Sequence, residues 1–238
     1  MTTTKQKNFE LYYAEQTSIQ LNENWMICGN LDEENLPDLT IKVSEEKFFG
    51  LEVRFAFIDE GERYQNASAL KRNESETTKL INQLAEMYYE RNEIPINVKI
   101  YGELSKDLID EIVEKLVNHN ISKPYDRVEV MWGKIKLYIC RIPDVFAGYR
   151  RWMSLSDCCG WVRNIDTSYI QKIIDDKNKK YFKYSSNNHY NGDVRLLIVF
   201  NKVLNSGKAN ITDDLSKLNK YQFNKVYILL HTDKVIAI

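Results

Sequence analysis

The chain is poor in the features that mark several common protein classes. Its four cysteines, Cys28, Cys140, Cys158 and Cys159, include no CxxC pair, and His119, His189 and His231 are scattered. A structural zinc site is therefore not expected, and the thiols read as free groups of a reducing compartment. No apolar run approaches the roughly 18 residues needed to cross a bilayer. The N-terminal Met-Thr-Thr-Thr-Lys-Gln-Lys-Asn has no apolar signal core, so a cytoplasmic location with no membrane partner is expected. There is no long Pro/Gly/Ser linker and no internal repeat. Gly207-Lys208 lacks the glycine spacing of a phosphate-binding loop, and no G-x-S-x-G elbow or distinct Cys–His dyad is present. Net charge is −1, so bulk electrostatics do not advertise a nucleic-acid partner, although a local basic groove is compatible with that value.

What is present is an ordinary globular composition, 43% hydrophobic and 28% charged over 238 residues, a length that fits one large α/β domain or two small ones and can bury a real core. Strand and helix patterns alternate, with hairpins inserted. Phe9–Gln16 reads as a short helix and Met26-Ile27-Cys28 as a strand. Asn73–Arg91 is an amphipathic helix, with Leu80, Ile81, Leu84, Met87 and Tyr88 at helical spacing and Asn73/Glu76 as a capping box. Strand 96–101, a helix from Ser105, and a hairpin of 127–132 with 135–140 follow. Then come a helix with Asp166 as N-cap and Ile170, Ile173 and Ile174 on its buried stripe, an apolar strand at 193–200, and closing strands at 223–230 and 235–238. This order predicts a mixed α/β (α+β) fold, with a central mixed sheet flanked by helices. A single domain over 1–238 is expected, with a β-α-β-β subregion inserted at 94–143.

The most informative stretch is Leu36-Pro37-Asp38-Leu39-Thr40-Ile41-Lys42-Val43, a polar turn, and Phe48-Phe49-Gly50-Leu51-Glu52-Val53-Arg54-Phe55. Two β-type runs around a charged turn make a hairpin. Glu52 and Arg54, two apart, share a face. A hairpin of this kind brings Asp38 toward Glu52, and two converging carboxylates suit a hard divalent cation.

Pro37-Asp38 followed by Glu52-Val53-Arg54 resembles the PD-(D/E)xK nuclease superfamily, with arginine in place of the family lysine. The C-terminal half is similar to a group of uncharacterised bacterial restriction-endonuclease-like proteins. It shares an I-x-x-I-I-x-x-K-N-x-K helix (Ile170–Lys180), a Leu-Leu-Ile strand (196–198) and an F-x-K-V-Y-I strand from Phe223. The resemblance implies a restriction-endonuclease-like fold and Mg²⁺- or Mn²⁺-dependent hydrolysis of DNA, in restriction or defence. Asp38, Glu52, Arg54 and Gln65 would be catalytic. The family often adds an acidic residue from a preceding helix. Glu10 or Glu15 can supply it, and Glu15 joins Asp38, Glu52 and the Val53 carbonyl in the expected metal set. Arg54 retains positive charge for a scissile phosphate but cannot act as a lysine base. Restriction-type nucleases often dimerise, so a homodimer is one arrangement the resemblance allows.

Two basic segments are candidates for nucleic-acid contact. Arg150, Arg151 and Trp152 interleave cations with aromatics, and Lys177, Lys179 and Lys180 crowd the end of one helix. The plainer readings are a loop whose tryptophans cap the core and a solvated charged face. The non-enzymatic alternative for the whole chain is a degenerate nuclease fold retained as a nucleic-acid or protein binding module.

Overall fold

A computed structural model describes residues 3–29, 37–60, 68–119, 121, 123–155, 161–185 and 192–238. The chain divides into two compact units, one built from Met1–Ser68 with Trp161–Ile238 and the other from Ala69–Gly160. The insertion read from the sequence at 94–143 lies inside the second unit, which is larger because α2 (Ala69–Arg91) and β7 (Trp152–Leu155) complete its core.

The first unit is a six-stranded mixed sheet flanked by helices, in the order β1-β2-β3-β9-β11-β12. Its strands are β1 (Met26–Gly29), β2 (Leu39–Lys42), β3 (Phe48–Phe55), β9 (Val194–Asn201), β11 (Val226–His231) and β12 (Lys234–Ala237). β1, β2 and β3 form an antiparallel meander, β3, β9 and β11 run parallel, and β12 returns antiparallel. Every β9 residue except Asn201 is buried, as a strand covered on both faces must be. Alternation divides its side chains. Leu197 and Val199 pack with Tyr13 and Ala14 of α1 (Thr4–Leu21), whereas Leu196, Ile198 and Phe200 pack with Ile170, Ile173 and Ile174 of α4 (Thr167–Ser185). Glu52 aligns with Leu196 and therefore belongs to the α4 face.

Both helices outrun their sequence signals. α1 starts at Thr4 because the Thr3 hydroxyl accepts from the Gln6 N–H at 3.2 Å, and it stops where Asn22 turns left-handed (φ 52°). α4 starts where expected, with the Asp166 carboxylate accepting from the Tyr169 N–H at 2.9 Å. A short parallel pair, β8 (Arg163–Asn164) with β10 (Ala209–Asn210), lies beside that start.

The second unit is a four-stranded sheet, β5 (Arg127–Trp132), β6 (Ile135–Arg141), β4 (Ile96–Tyr101) and β7, in that spatial order. α2 and α3 (Ile109–Asn118) supply Ile81, Leu84, Tyr88, Ile112, Val113 and Leu116 to one core with Val98, Ile100, Leu137 and Ile139. α2 begins four residues before Asn73, so the capping box read at Asn73/Glu76 lies within the helix. Gly133 holds φ +54° at the first position of the β5–β6 turn, where its missing Cβ makes that conformation cheap. No helix of the described residues is long and apolar enough to cross a membrane.

Candidate active site

The site begins with a defect in the β2–β3 ladder. The last ladder pair is Leu39 with Leu51, and two residues on the same register sets Pro37 against Val53. The N–H groups of Gly50 and Ala56 point to the β9 side, reaching Asp193 O and Val199 O. By alternation, both the N–H and the C=O of Val53 point toward β2. Proline has no N–H to offer that carbonyl. Two side chains take over where the ladder ends. The Asp38 carboxylate accepts from the Val53 N–H at 2.7 Å, and the Lys177 ammonium donates to the Val53 carbonyl at 3.3 Å.

Lys177 also pairs with Glu52, whose side chain is 3% exposed, and Lys177 is itself 14% exposed. Lys177 continues the Ile170–Ile173–Ile174 stripe by another turn, so the α4 face that packs on the sheet also delivers the ammonium to Glu52. The sequence offers Lys177 as a candidate nucleic-acid contact or as part of a solvated charged face; in the structure its ammonium lies on Glu52 and the Val53 carbonyl.

Asp38 is half-buried, and its carboxyl is pushed up to about 7. Burial is the main cause and the neighbouring Glu52 charge the second. Lys177 and the Val53 N–H pull the other way, and Glu10 adds a further upward push. Glu10 of α1 is 3% exposed, and Gln6 Nε2 donates to its Oε1 at 3.1 Å. Its carboxyl is raised first by burial. The Gln6 bond counters this, Glu52 adds to it, and Lys177 and Lys7 lower it. Glu10, Asp38, Glu52 and Lys177 thus form one electrostatic group drawn from α1, the β2–β3 hairpin and α4.

The remaining expected residues are distributed as follows. Glu15 is exposed on α1, and Glu10 is the α1 carboxylate that reaches the cluster. Arg54 pairs with Glu60. The Tyr169 hydroxyl sits 3.1 Å from the second oxygen of Glu60 and 2.9 Å from Phe57 O, and burial raises its pKa. Gln65 lies outside the described residues. Lys179 is exposed and pairs with Asp176 at 2.7 Å, and the Lys180 side chain is outside what is described. Arg150, Arg151 and Trp152 belong to the second unit. There the Arg150 guanidinium lies 4.3 Å from the Tyr89 ring centre, and Trp152 packs on Tyr88 and Tyr89. The Trp152 ring is thus engaged in core packing.

Among the described residues, no three His, Cys, Asp or Glu side chains stand together as a metal cage. The donors at this point are two carboxylates and one backbone carbonyl, oxygen ligands of the kind hard divalent cations take. A cationic group, the Lys177 ammonium, already rests on two of them, Glu52 Oε1 and Val53 O.

Compared with protein-family models, with curated proteins and with solved structures, the chain gives no match.

Proposed function

We propose that the first unit is a metal-dependent nuclease acting on DNA, of the PD-(D/E)xK type, with its lysine supplied by α4. The observation that supports this most is Lys177 spanning Glu52 and the Val53 carbonyl beside Asp38. Asp38, Glu52 and the Val53 carbonyl would hold Mg²⁺ or Mn²⁺. When bound, such an ion activates water and offsets the charge that builds on a phosphodiester under attack.

The chain's own residues have separable tasks. Pro37 keeps a ladder donor away from the Val53 carbonyl, leaving that oxygen to cations. Asp38 fixes the direction of the Val53 peptide through its N–H. Lys177 holds the Glu52 side chain in place while the site is at rest. Were Asp38 and Glu52 to hold a divalent cation, the Lys177 ammonium would move off Glu52 and be free to meet a phosphate oxygen. Lysine suits this move, being a compact charge on a flexible stem with three rotatable donors. Glu10 of α1 is coupled electrostatically to Glu52 and Lys177.

One observation favours the second reading, a degenerate nuclease fold that binds without cutting. Glu52 is deeply buried with Lys177, so the site at rest is a closed ion pair. Calorimetric titration with Mn²⁺ separates the two. The nuclease reading predicts saturable binding by the wild type that is lost in both Asp38→Asn and Glu52→Ala. Absence of binding by the folded wild type favours the degenerate module.

A further inference from the structure

In the second unit α2 and α3 both pack on the same face of the four-stranded sheet. The other face is formed by the alternate side chains, among them Lys99 and Tyr101 of β4, Lys136 and Tyr138 of β6, and Arg127 and Glu129 of β5. Register sets Lys99 beside Tyr138 and Tyr101 beside Lys136, so rings and ammonium groups alternate across the two central strands. The tyrosine rings meet edge to face at 5.2 Å, and Lys136 Nζ stands 4.7 Å from the Tyr138 ring centre. Lys99, Arg127 and Tyr138 are exposed. Among these six residues, three are cations and one is a carboxylate, Glu129, which pairs with Lys136 at 2.6 Å. The chain as a whole is −1, so this face stands out as locally positive.

From this we infer that the open face is a binding platform for single-stranded nucleic acid. The inference rests on this unit alone and stands whether or not the first unit cuts DNA. The charge surplus complements a polyanion, and cations spread across three adjacent strands suit a backbone crossing the sheet. Two tyrosines at the centre offer rings to unpaired bases, whose π-faces stack on aromatics without regard to sequence. A duplex hides those faces within its own stack, so a tyrosine-bearing sheet face selects single strands. Glu129 holds Lys136 over Tyr138 and keeps one carboxylate from repelling the backbone.

The test uses the full-length protein in EDTA, with fluorescence anisotropy of labelled oligodeoxythymidine, oligouridine and a DNA duplex. The inference predicts single-strand binding that weakens with salt. Tyr138→Ala is expected to reduce affinity by about fivefold or more, the low end of the loss of one stacked base. Tyr138→Phe, which keeps the ring, retains affinity. Lys99→Glu weakens binding to every sequence and flattens the salt dependence. The two oligonucleotides distinguish DNA from RNA, and binding to either supports the platform. Tyr138 and Lys99 are exposed, and circular dichroism checks that the variants fold. Preference for the duplex, or an unchanged affinity in Tyr138→Ala, overturns the inference. Failure to bind any of the three at low salt also overturns it and leaves the face to a protein partner.

Discussion

Lys177 of α4 donates to the carboxylate of Glu52 and to the carbonyl of Val53, 124 residues away in sequence. The account depends on this relationship, because one ammonium rests on two of the three oxygens assigned to a metal. Lys177→Met, which keeps the stem and removes the charge, leaves a deeply buried carboxylate without that partner. Removing one member of a buried pair costs about 3–5 kcal/mol. Urea unfolding at pH 8 is expected to show a loss of that order, and the double variant Lys177→Met/Glu52→Gln recovers most of it. A double variant as unstable as the single one would mean that Lys177 matters through packing.

Asp38 gives the metal-free protein a distinctive pH response. Its carboxyl is raised in the folded state to about 7, from an ordinary value near 4. The fold therefore favours the protonated form. The stability Asp38 contributes is full below about pH 4 and is lost as pH rises through 7. Asp38→Asn is expected to flatten the fall in thermal midpoint between pH 5 and pH 8. Mg²⁺ reverses the preference by favouring the ionised carboxylate, so it raises the midpoint at pH 8 in the wild type and not in Asp38→Asn.

His231 responds in the opposite sense. It is buried at the end of β11, its Nε2 lies 3.4 Å from the Tyr12 hydroxyl, and its Nδ1 has no hydrogen-bond partner among the described residues. Burial lowers its pKa, so the folded state favours the neutral ring. The resulting stability is present above about pH 6.5 and is lost as the pH falls through the depressed folded value. His231→Phe, which preserves the edge-to-face ring contacts to Tyr12 and Tyr13, is expected to shift the acid unfolding midpoint to lower pH. An unchanged or higher midpoint would contradict this.

Arg54 and Lys177 are predicted to separate sharply. Arg54 is held by Glu60 with its side chain 35% exposed, a pair in the class worth about 0–1 kcal/mol. Arg54→Ala is expected to cost no more than about that in stability and to leave cleavage within about tenfold of wild type, the scale of 1.4 kcal/mol in a barrier. Lys177→Ala abolishes cleavage. Equal losses in the two variants, measured on the same plasmid substrate, would return the lysine role to Arg54.

The two sheets were legible because their strands carry two unambiguous patterns, alternation in β4 and β6 of the second unit and continuous burial in β9 of the first. The hairpin bearing Asp38 and Glu52 was legible for the same reason, with a charged turn between two apolar runs. Glu10 and Lys177 were harder to read. Each is a charged residue on a core-facing helical stripe, Glu10 with Tyr13, Ala14 and Thr17, Lys177 with Ile170, Ile173 and Ile174. That interruption of an apolar stripe is the available signal. In α1 it was obscured because the exposed Phe9 and Tyr12 mimic an apolar face, and in α4 by the adjacent Lys179 and Lys180. The true extent of the second unit was hidden because α2 looks like any amphipathic helix, and its partner sheet lies further along the chain.

Cleavage of plasmid DNA with Mg²⁺ or Mn²⁺, by wild type, Glu52→Ala and Lys177→Ala purified side by side, tests the central claim most directly. The account predicts metal-dependent cutting by the wild type alone, with EDTA abolishing it. A folded wild type that binds Mn²⁺ yet leaves the plasmid intact, or a Glu52→Ala variant that still cuts, would contradict it.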